Sequence, residues 1–237
     1  MSLPGNAPIS LNLPENYDVA SLPRKYKKLF TKQFGGVIAF FKRHLKVCFN
    51  KDLSSSDIMV LAIDKLMLVN AYILPEYQTW DPFADVDPFQ ALQETLTALQ
   101  GHTSAVFLLG DLNARTGSRG IHGHPSKSKD EFLSSKGRAL LDSCTLLDLV
   151  LLNGIQQFQS KTQKFTLFQP HGQAVVDYVI ANKIGLELTS DFEILNPMLE
   201  WSDHAALSLQ LMSTGGLSGF TTNSYYACLK AIYNNVT

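Results

Sequence analysis

The sequence predicts a single α/β domain built on mixed sheets. Two observations carry this: strand-like runs outnumber helical ones, and the helical patterns fall between groups of strands. The 237 residues are 45% hydrophobic and 17% charged, a globular composition with enough apolar chain for one sizeable core.

The elements follow in order. Residues 1–34 are rich in Pro, Asn and Ser and turn basic at RKYKKLFTK (24–32), which predicts an irregular segment. GVIAFF (36–41) and LKVCF (45–49) are short β-prone runs separated by Lys42-Arg43-His44. DIMVLAI (57–63) and KLMLVNAYIL (65–74) follow, and the tight connection at Asp64-Lys65 predicts a hairpin. Successive β-prone runs without a helix between them predict an antiparallel meander. In DPFQALQETLTALQG, Phe89, Leu92, Leu96 and Leu99 fall at helical spacing. Asp87-Pro88 supplies a cap and a first-turn proline, and Gly101 a stop.

The strand AVFLLGD (105–111) comes next, then a polar loop (114–130) and a helix in EFLSSKGRALLDSCTLL (131–147). Further strands fit DLVLLNG (148–154), KFTLF (164–168), AVVDYVIAN (174–182) and DHAALSLQL (203–211). Residues 213–237 read as a Gly/Ser linker and tail, which leaves 35–212 as the domain.

The net charge of −1 gives no overall attraction to nucleic acid or to anionic membrane, so a polyanionic substrate would be held locally. Cys48, Cys144 and Cys228 are odd in number and far apart, which predicts a reducing compartment and no disulfide framework. The N-terminus lacks a signal-peptide core, and no apolar run approaches the roughly 18 residues of a transmembrane helix. The expectation is a soluble intracellular protein with no membrane partner.

Polar clusters interrupt the apolar strands. In LLGDLNARTG, Asp111 and Asn113 end a buried run with Leu112 between them. Within a strand, positions i and i+2 share a face roughly 7 Å apart. The same Asp-x-Asn spelling also suits a turn, in which the side chains bond nearby amides. Asp177 stands inside AVVDYVIAN, where an unpaired carboxylate is costly. Ser202-Asp203-His204 precedes another apolar run. Phosphodiester hydrolysis needs a carboxylate to deprotonate water, neutral donors for the phosphoryl oxygens and a cation to spread charge. Asp111 suits the first role and Asn113 the second. His204 suits a donor to phosphate, with Asp177 as its orienting partner.

In order and spelling, GDLNA, VVDYVI and SDHAALSL resemble the endonuclease/exonuclease/phosphatase superfamily, most of all the apurinic-type endonuclease domains of LINE-type retrotransposons. GGVIAFFKRHL, LMLVNAYILPE and KGRALLDSCTLLDLVLLNG extend the likeness over most of the chain, from Gly35 to Leu211. The resemblance implies a four-layered α/β sandwich, two mixed sheets face to face with helices outside. It implies a Mg²⁺- or Mn²⁺-dependent DNA endonuclease of the kind found beside reverse transcriptases, acting on nuclear DNA. By resemblance Asp111 activates water, Asn113 stabilises the transition state, His204 contacts the scissile phosphate and Asp177 partners it. Asp203 and Asp111 lie at the metal, and Tyr72 is the active-site tyrosine at the end of its strand.

The chain departs from the family at its start. There the family has a strand with an Asn and a QET-like segment whose Glu is the principal metal ligand, and residues 1–34 spell neither. The expectation is an N-terminally truncated domain that lacks its opening strand. LQET (92–95) lies in the wrong place, inside an amphipathic helix, so Glu94 is read as solvated. Glu15 in LPENYD is not assigned as a ligand. Ala174 replaces a frequent family Ser, which weakens hydrogen bonding near Asp177. PFADVD (82–87) is read as a loop into the helix cap, not as a polymerase motif. Two other readings stand beside the nuclease: an inactive remnant or nucleic-acid-binding module, and, ranked lower, a phospholipid or inositol-phosphate phosphodiesterase.

Overall fold

The computed structural model describes residues 14–23, 36–75, 87–121 and 124–212. The described chain opens with β1 (Tyr17–Pro23) and β2 (Gly36–Lys42), an antiparallel ribbon in which Tyr17 faces Lys42. Three antiparallel strands follow, β3 (Cys48–Ser55), β4 (Ile58–Ile63) and β5 (Leu66–Tyr72). The hairpin at Asp64-Lys65 forms as expected. Ile63 faces Leu66 across it, with Asp64 at φ 51.

A crossover through α1 (Pro88–Ala98) brings β6 (Ala105–Asp111) parallel to β5. Asp87 caps α1, its Oδ1 accepting from Phe89 N at 2.7 Å, and Pro88 occupies the first turn. Beyond β6 come α2 (Ser135–Leu146), β7 (Leu149–Leu151), the single turn α3 (Gln159–Thr162), and the hairpin of β8 (Leu167–Gln169) and β9 (Gly172–Ala174). Then β10 (Asp177–Asn182), α4 (Lys183–Leu188), β11 (Thr189–Ile194) and β12 (Leu207–Leu211) complete the described fold.

The main sheet is six-stranded and mixed, in the order β3-β4-β5-β6-β10-β7. β6 is buried along its whole length, which is what an uninterrupted apolar run between two layers requires. One face of the sheet, with Val106, Leu108, Tyr178 and Ile180, packs on Leu92 and Leu96 of α1, on Leu99 at its C-cap and on Leu140, Leu141 and Cys144 of α2. The other face is covered in two parts. The β1–β2 ribbon lies over Met59, Leu61 and Tyr72, and the β11–β12 ribbon over Phe107, Leu109, Val179 and Ala181. The fold is therefore the expected α/β arrangement of a mixed sheet flanked by helices.

Several expectations are corrected. The meander does not include β2: Arg43–Leu45 form a 3₁₀ turn, and Lys46 at φ 48 redirects the chain, so β2 and β3 belong to different sheets. Part of the segment expected to be irregular, Tyr17–Pro23, is a strand. Its backbone is satisfied by β2, a long-range pairing that local composition does not report. KFTLF contributes only the short β8, which begins at Leu167. α4 and β11 were not foreseen: KIGLELTSDFEI changes period within a few residues. The basic run RKYKK, the PFADV part of PFADVD, the tail 213–237 and residues 1–13, on which the expected absence of an opening strand bears, lie outside the described residues.

Candidate active site

Three neighbouring strands of the main sheet end in one row. Tyr72 on β5 faces Asp111 on β6, and Asp111 faces Asp177 on β10. Paired positions on adjacent strands project from the same side. All three therefore look toward the two-ribbon face, and all three are buried. The β5–β6 approach beside them requires glycine. At Gly110, with φ 145, an added Cβ would lie 1.9 Å from Ala71 O.

The Asp111–Asn113 stretch resolves the ambiguity of its spelling. β6 stops at Asp111, and Asn113 adopts φ 44, so the two are not alternate residues of one strand. Leu112 still turns into the helix-side core, fully buried. Asn113 N donates to Asp111 Oδ1 at 3.0 Å, the hydrogen bond of an Asx turn. Asn113 Nδ2 donates to Ile73 O at 2.9 Å, which aims the amide, and the Asn113 side chain also hydrogen-bonds the Asp111 carboxyl. The turn and the candidate site are one structure.

His204 arrives from the opposite layer. The segment before β12 runs beside β8: Phe168 N donates to Asp203 O at 2.8 Å, and Ala205 N donates to Thr166 O at 2.7 Å. That pairing sets the His204 ring against Asp177, with Nδ1 2.9 Å from Oδ2 and 3.1 Å from Oδ1. Its Nε2 lies 4.0 Å from Asp111 Oδ2.

The electrostatics follow from burial and proximity. Burial, then the facing charge of Asp177, pushes the Asp111 carboxyl up to about 8, although His204 and the Asn113 hydrogen bonds oppose it. Burial also raises Asp177, against the hydrogen bond and charge of His204. Burial works against a charged His204, but the hydrogen bond and charge of Asp177 and the charges of Asp111 and Asp203 prevail and lift it to about 9. The shifts favour a charged imidazole at His204 and a proton retained on Asp111 in the metal-free site.

Ligand atoms of Asp111, Asp177 and His204 lie within 4.8 Å of one another, so these residues can hold a metal ion. The fit is chemical as well as geometric. Asp111 and Asp177 present carboxylate oxygens side by side on adjacent strands, and oxygen donors of this kind suit a hard divalent cation. Asp203 is exposed and is not in that cluster, although its charge reaches both Asp177 and His204. Glu94 is exposed on α1 and accepts from Gln90 Nε2 at 2.9 Å, as expected of a solvated helix residue. Glu15 lies beside Lys42, Arg43 and His44 at the Tyr17 end of the first ribbon. The Gly36 end is the one near Tyr72, where Val37 packs against it.

Sequence reading missed two supporting residues. Thr166, fully buried, accepts Val176 N at 3.0 Å and Asp177 N at 3.1 Å through its Oγ1. Thr166 thus places a hydroxyl beside Asp177, near Ala174, where a Ser was expected. Asn153 donates from Nδ2 to Asp177 O at 3.0 Å and accepts Val179 N at 3.0 Å, tying the end of β7 to β10. The signal for Asn153 was its place at the end of an apolar run, in VLLNG.

No protein-family model matches the chain, and no curated protein matches it. Solved structures do. The endonuclease domain of TRAS1, a telomere-specific non-LTR retrotransposon, is 18% identical, with 81% of this chain and 78% of that one covered at a TM-score of 0.59. An AP endonuclease from Leishmania major is 11% identical, covering 84% and 72% at a TM-score of 0.61. A 3'-5' exonuclease from Neisseria meningitidis is 17% identical, covering 83% and 80% at 0.54. The chain has the fold of the endonuclease/exonuclease/phosphatase superfamily.

Proposed function

We propose that this protein is a divalent-metal-dependent phosphodiesterase acting on DNA, an endonuclease of retrotransposon type. The observation that carries the proposal is the convergence of Asp111, Asp177 and His204, with Asn113 and Tyr72 beside them, at the rim of a nuclease-type fold. The similarity to nucleases named for DNA lesions or for a retrotransposon supports DNA as the substrate.

The division of labour follows from the hydrogen bonds. Asp111 is the acceptor for the proton of the attacking water, since its carboxylate is the one that faces both Asn113 and the Nε2 side of His204. Asn113, its amide aimed by Ile73 O, donates from its side chain to a phosphoryl oxygen as charge builds there. His204, fixed at Nδ1 by Asp177, presents Nε2–H to the same phosphate. Asp177 holds the ring's orientation and its charge. Asp111, with Asp203 on the exposed side, would hold Mg²⁺ or Mn²⁺, and a cation bound there would offset charge on the phosphate and the leaving oxygen. Tyr72 closes the row beside Asp111.

Nicking of supercoiled plasmid tests this reading. Expected is Mg²⁺-dependent nicking that EDTA abolishes and that Asp111→Ala and His204→Ala each reduce by at least 100-fold. No nicking by the folded wild-type protein in Mg²⁺ or Mn²⁺ overturns it and favours an inactive remnant that retains the fold.

A further inference from the structure

The Asp111–Asp177 pair is an unstable neighbour relationship: two buried carboxylates face each other across adjacent strands, just where the pairing of β6 and β10 ends. Like charges placed directly opposite push strands apart. What holds the strands together beyond that point is visible in the next few residues of each.

Asp130, from the polar loop, is buried and accepts hydrogen bonds on both carboxylate oxygens. Oδ1 accepts Arg115 Nη2 at 2.6 Å and Phe132 N at 3.1 Å; Oδ2 accepts Arg115 Nε at 2.7 Å and Val175 N at 3.0 Å. Arg115 lies two residues past Asn113, and Val175 two before Asp177. A second tie runs in parallel. Tyr178 Oη donates to Val175 O at 2.8 Å and accepts Thr116 N at 3.3 Å. Val175 N is thus bound to Asp130 and Val175 O to Tyr178, the two side chains that also bond Arg115 and Thr116, and Leu112 N donates to Val176 O nearer the carboxylate pair. Arg115 is also anchored at its backbone, giving and receiving hydrogen bonds with Ser134, the cap of α2. Its guanidinium lies 4.5 Å from the centroid of the Phe132 ring.

We propose that the Arg115–Asp130 pair is a positioning clamp for the reaction: it carries the β6–β10 pairing past the facing carboxylates and fixes the separation of Asp111 and Asp177. This inference rests on the nuclease reading for its consequence but not for its geometry. A planar, two-pronged contact is what the clamp needs, so charge alone will not replace it. Lysine at position 115 keeps the charge and loses the fork.

The test compares the wild-type full chain with Arg115→Lys and Asp130→Asn by plasmid nicking, by Mn²⁺ titration of the EDTA-stripped protein followed by electron paramagnetic resonance, and by hydrogen exchange. All are done well below each variant's Tm. Expected for Arg115→Lys is a kcat reduced about 10-fold or more with KM for DNA within twofold. The Mn²⁺ half-saturation rises by a similar factor, and exchange speeds up at 111–116 and 175–178 but not in β4 or β5. A merely structural staple would lower Tm and leave the kcat of the folded fraction and the Mn²⁺ affinity unchanged. That result overturns the clamp, in either variant that folds. If the wild type does not nick, the nuclease reading falls alone, and unchanged local exchange and Mn²⁺ binding in Arg115→Lys still overturn the clamp.

Discussion

The imidazole of His204 and the carboxylate of Asp177 meet through Nδ1, at 2.9 Å from Oδ2 and 3.1 Å from Oδ1, although 27 residues separate them. The contact fixes which ring nitrogen points outward. Nε2 is left facing Asp111, and it keeps its proton until the ring titrates at about 9, a value that the charge of Asp177 helps to raise.

Asp177→Asn removes that charge and keeps the shape. The alkaline limb of the pH–rate profile, set in the wild type by His204 near pH 9, shifts to lower pH, and nicking falls about 10–100-fold at neutral pH. A pH–rate profile whose alkaline limb does not move in this variant contradicts the ion pair.

The same groups make the metal-free protein sensitive to alkali. His204 titrates at about 9 in the folded state against 6.5 when unperturbed, so its contribution is fully present below pH 6.5 and is lost as pH rises through 9. Asp111, held up to about 8 from 3.8, acts in the same direction: the folded state retains a proton that the unfolded state has released. Tm in EDTA should therefore fall between pH 6.5 and 9. Because a cation must displace the Asp111 proton, Mg²⁺ or Mn²⁺ raises Tm more at pH 9 than at pH 6. Melting curves at the two pH values, with and without metal, check both statements.

Asn113 combines a backbone role with a side-chain role, and two variants separate them. Its φ of 44 costs a residue with a Cβ and no local hydrogen bond about 1 kcal/mol, whereas glycine adopts it freely. Asn113→Gly therefore retains a higher Tm than Asn113→Ala, while both lose about 100-fold or more in kcat with the amide donor. Equal melting temperatures would show that the turn does not constrain this backbone.

Thr166→Val keeps the volume and removes the hydroxyl that receives two buried amides. Leaving them unsatisfied costs about 2–6 kcal/mol, at about 1–3 kcal/mol for each group. Urea unfolding measures it. Gly110→Ala is harsher locally, since its Cβ would meet Ala71 O, and it destabilises by about 1–3 kcal/mol or more while parting β5 from β6 beside Asp111.

What the sequence made legible is what periodicity and punctuation encode. α1 was visible because Leu92, Leu96 and Leu99 share a stripe and Asp87-Pro88 marks its start. β6 and β10 were visible as apolar runs, and the carboxylates within them stood out because such places rarely tolerate charge. The pairing of Asp177 with His204 was expected from chemistry and resemblance and is present in the structure. The structural parts that escaped depend on distant partners. β1 exists because β2 is there, and Thr166 matters because Ala205 and residues 176–177 both reach it. Asp130 looked like a loop residue, since nothing near it in the chain reveals that Arg115 and Val175 converge on its carboxylate.

The row formed by Tyr72, Asp111 and Asp177 has a consequence for how the molecule matures. Its members come from β5, β6 and β10, and the last of these joins β6 only after α2, β7 and the β8–β9 hairpin have been made and arranged. Pairings of such high contact order form late, because chain-closure entropy has to be overcome before they add stability. A nascent or partly folded chain can therefore contain α1, β5 and β6 and still have no assembled carboxylate–imidazole cluster. The carboxylate–imidazole cluster is therefore complete only when the fold is.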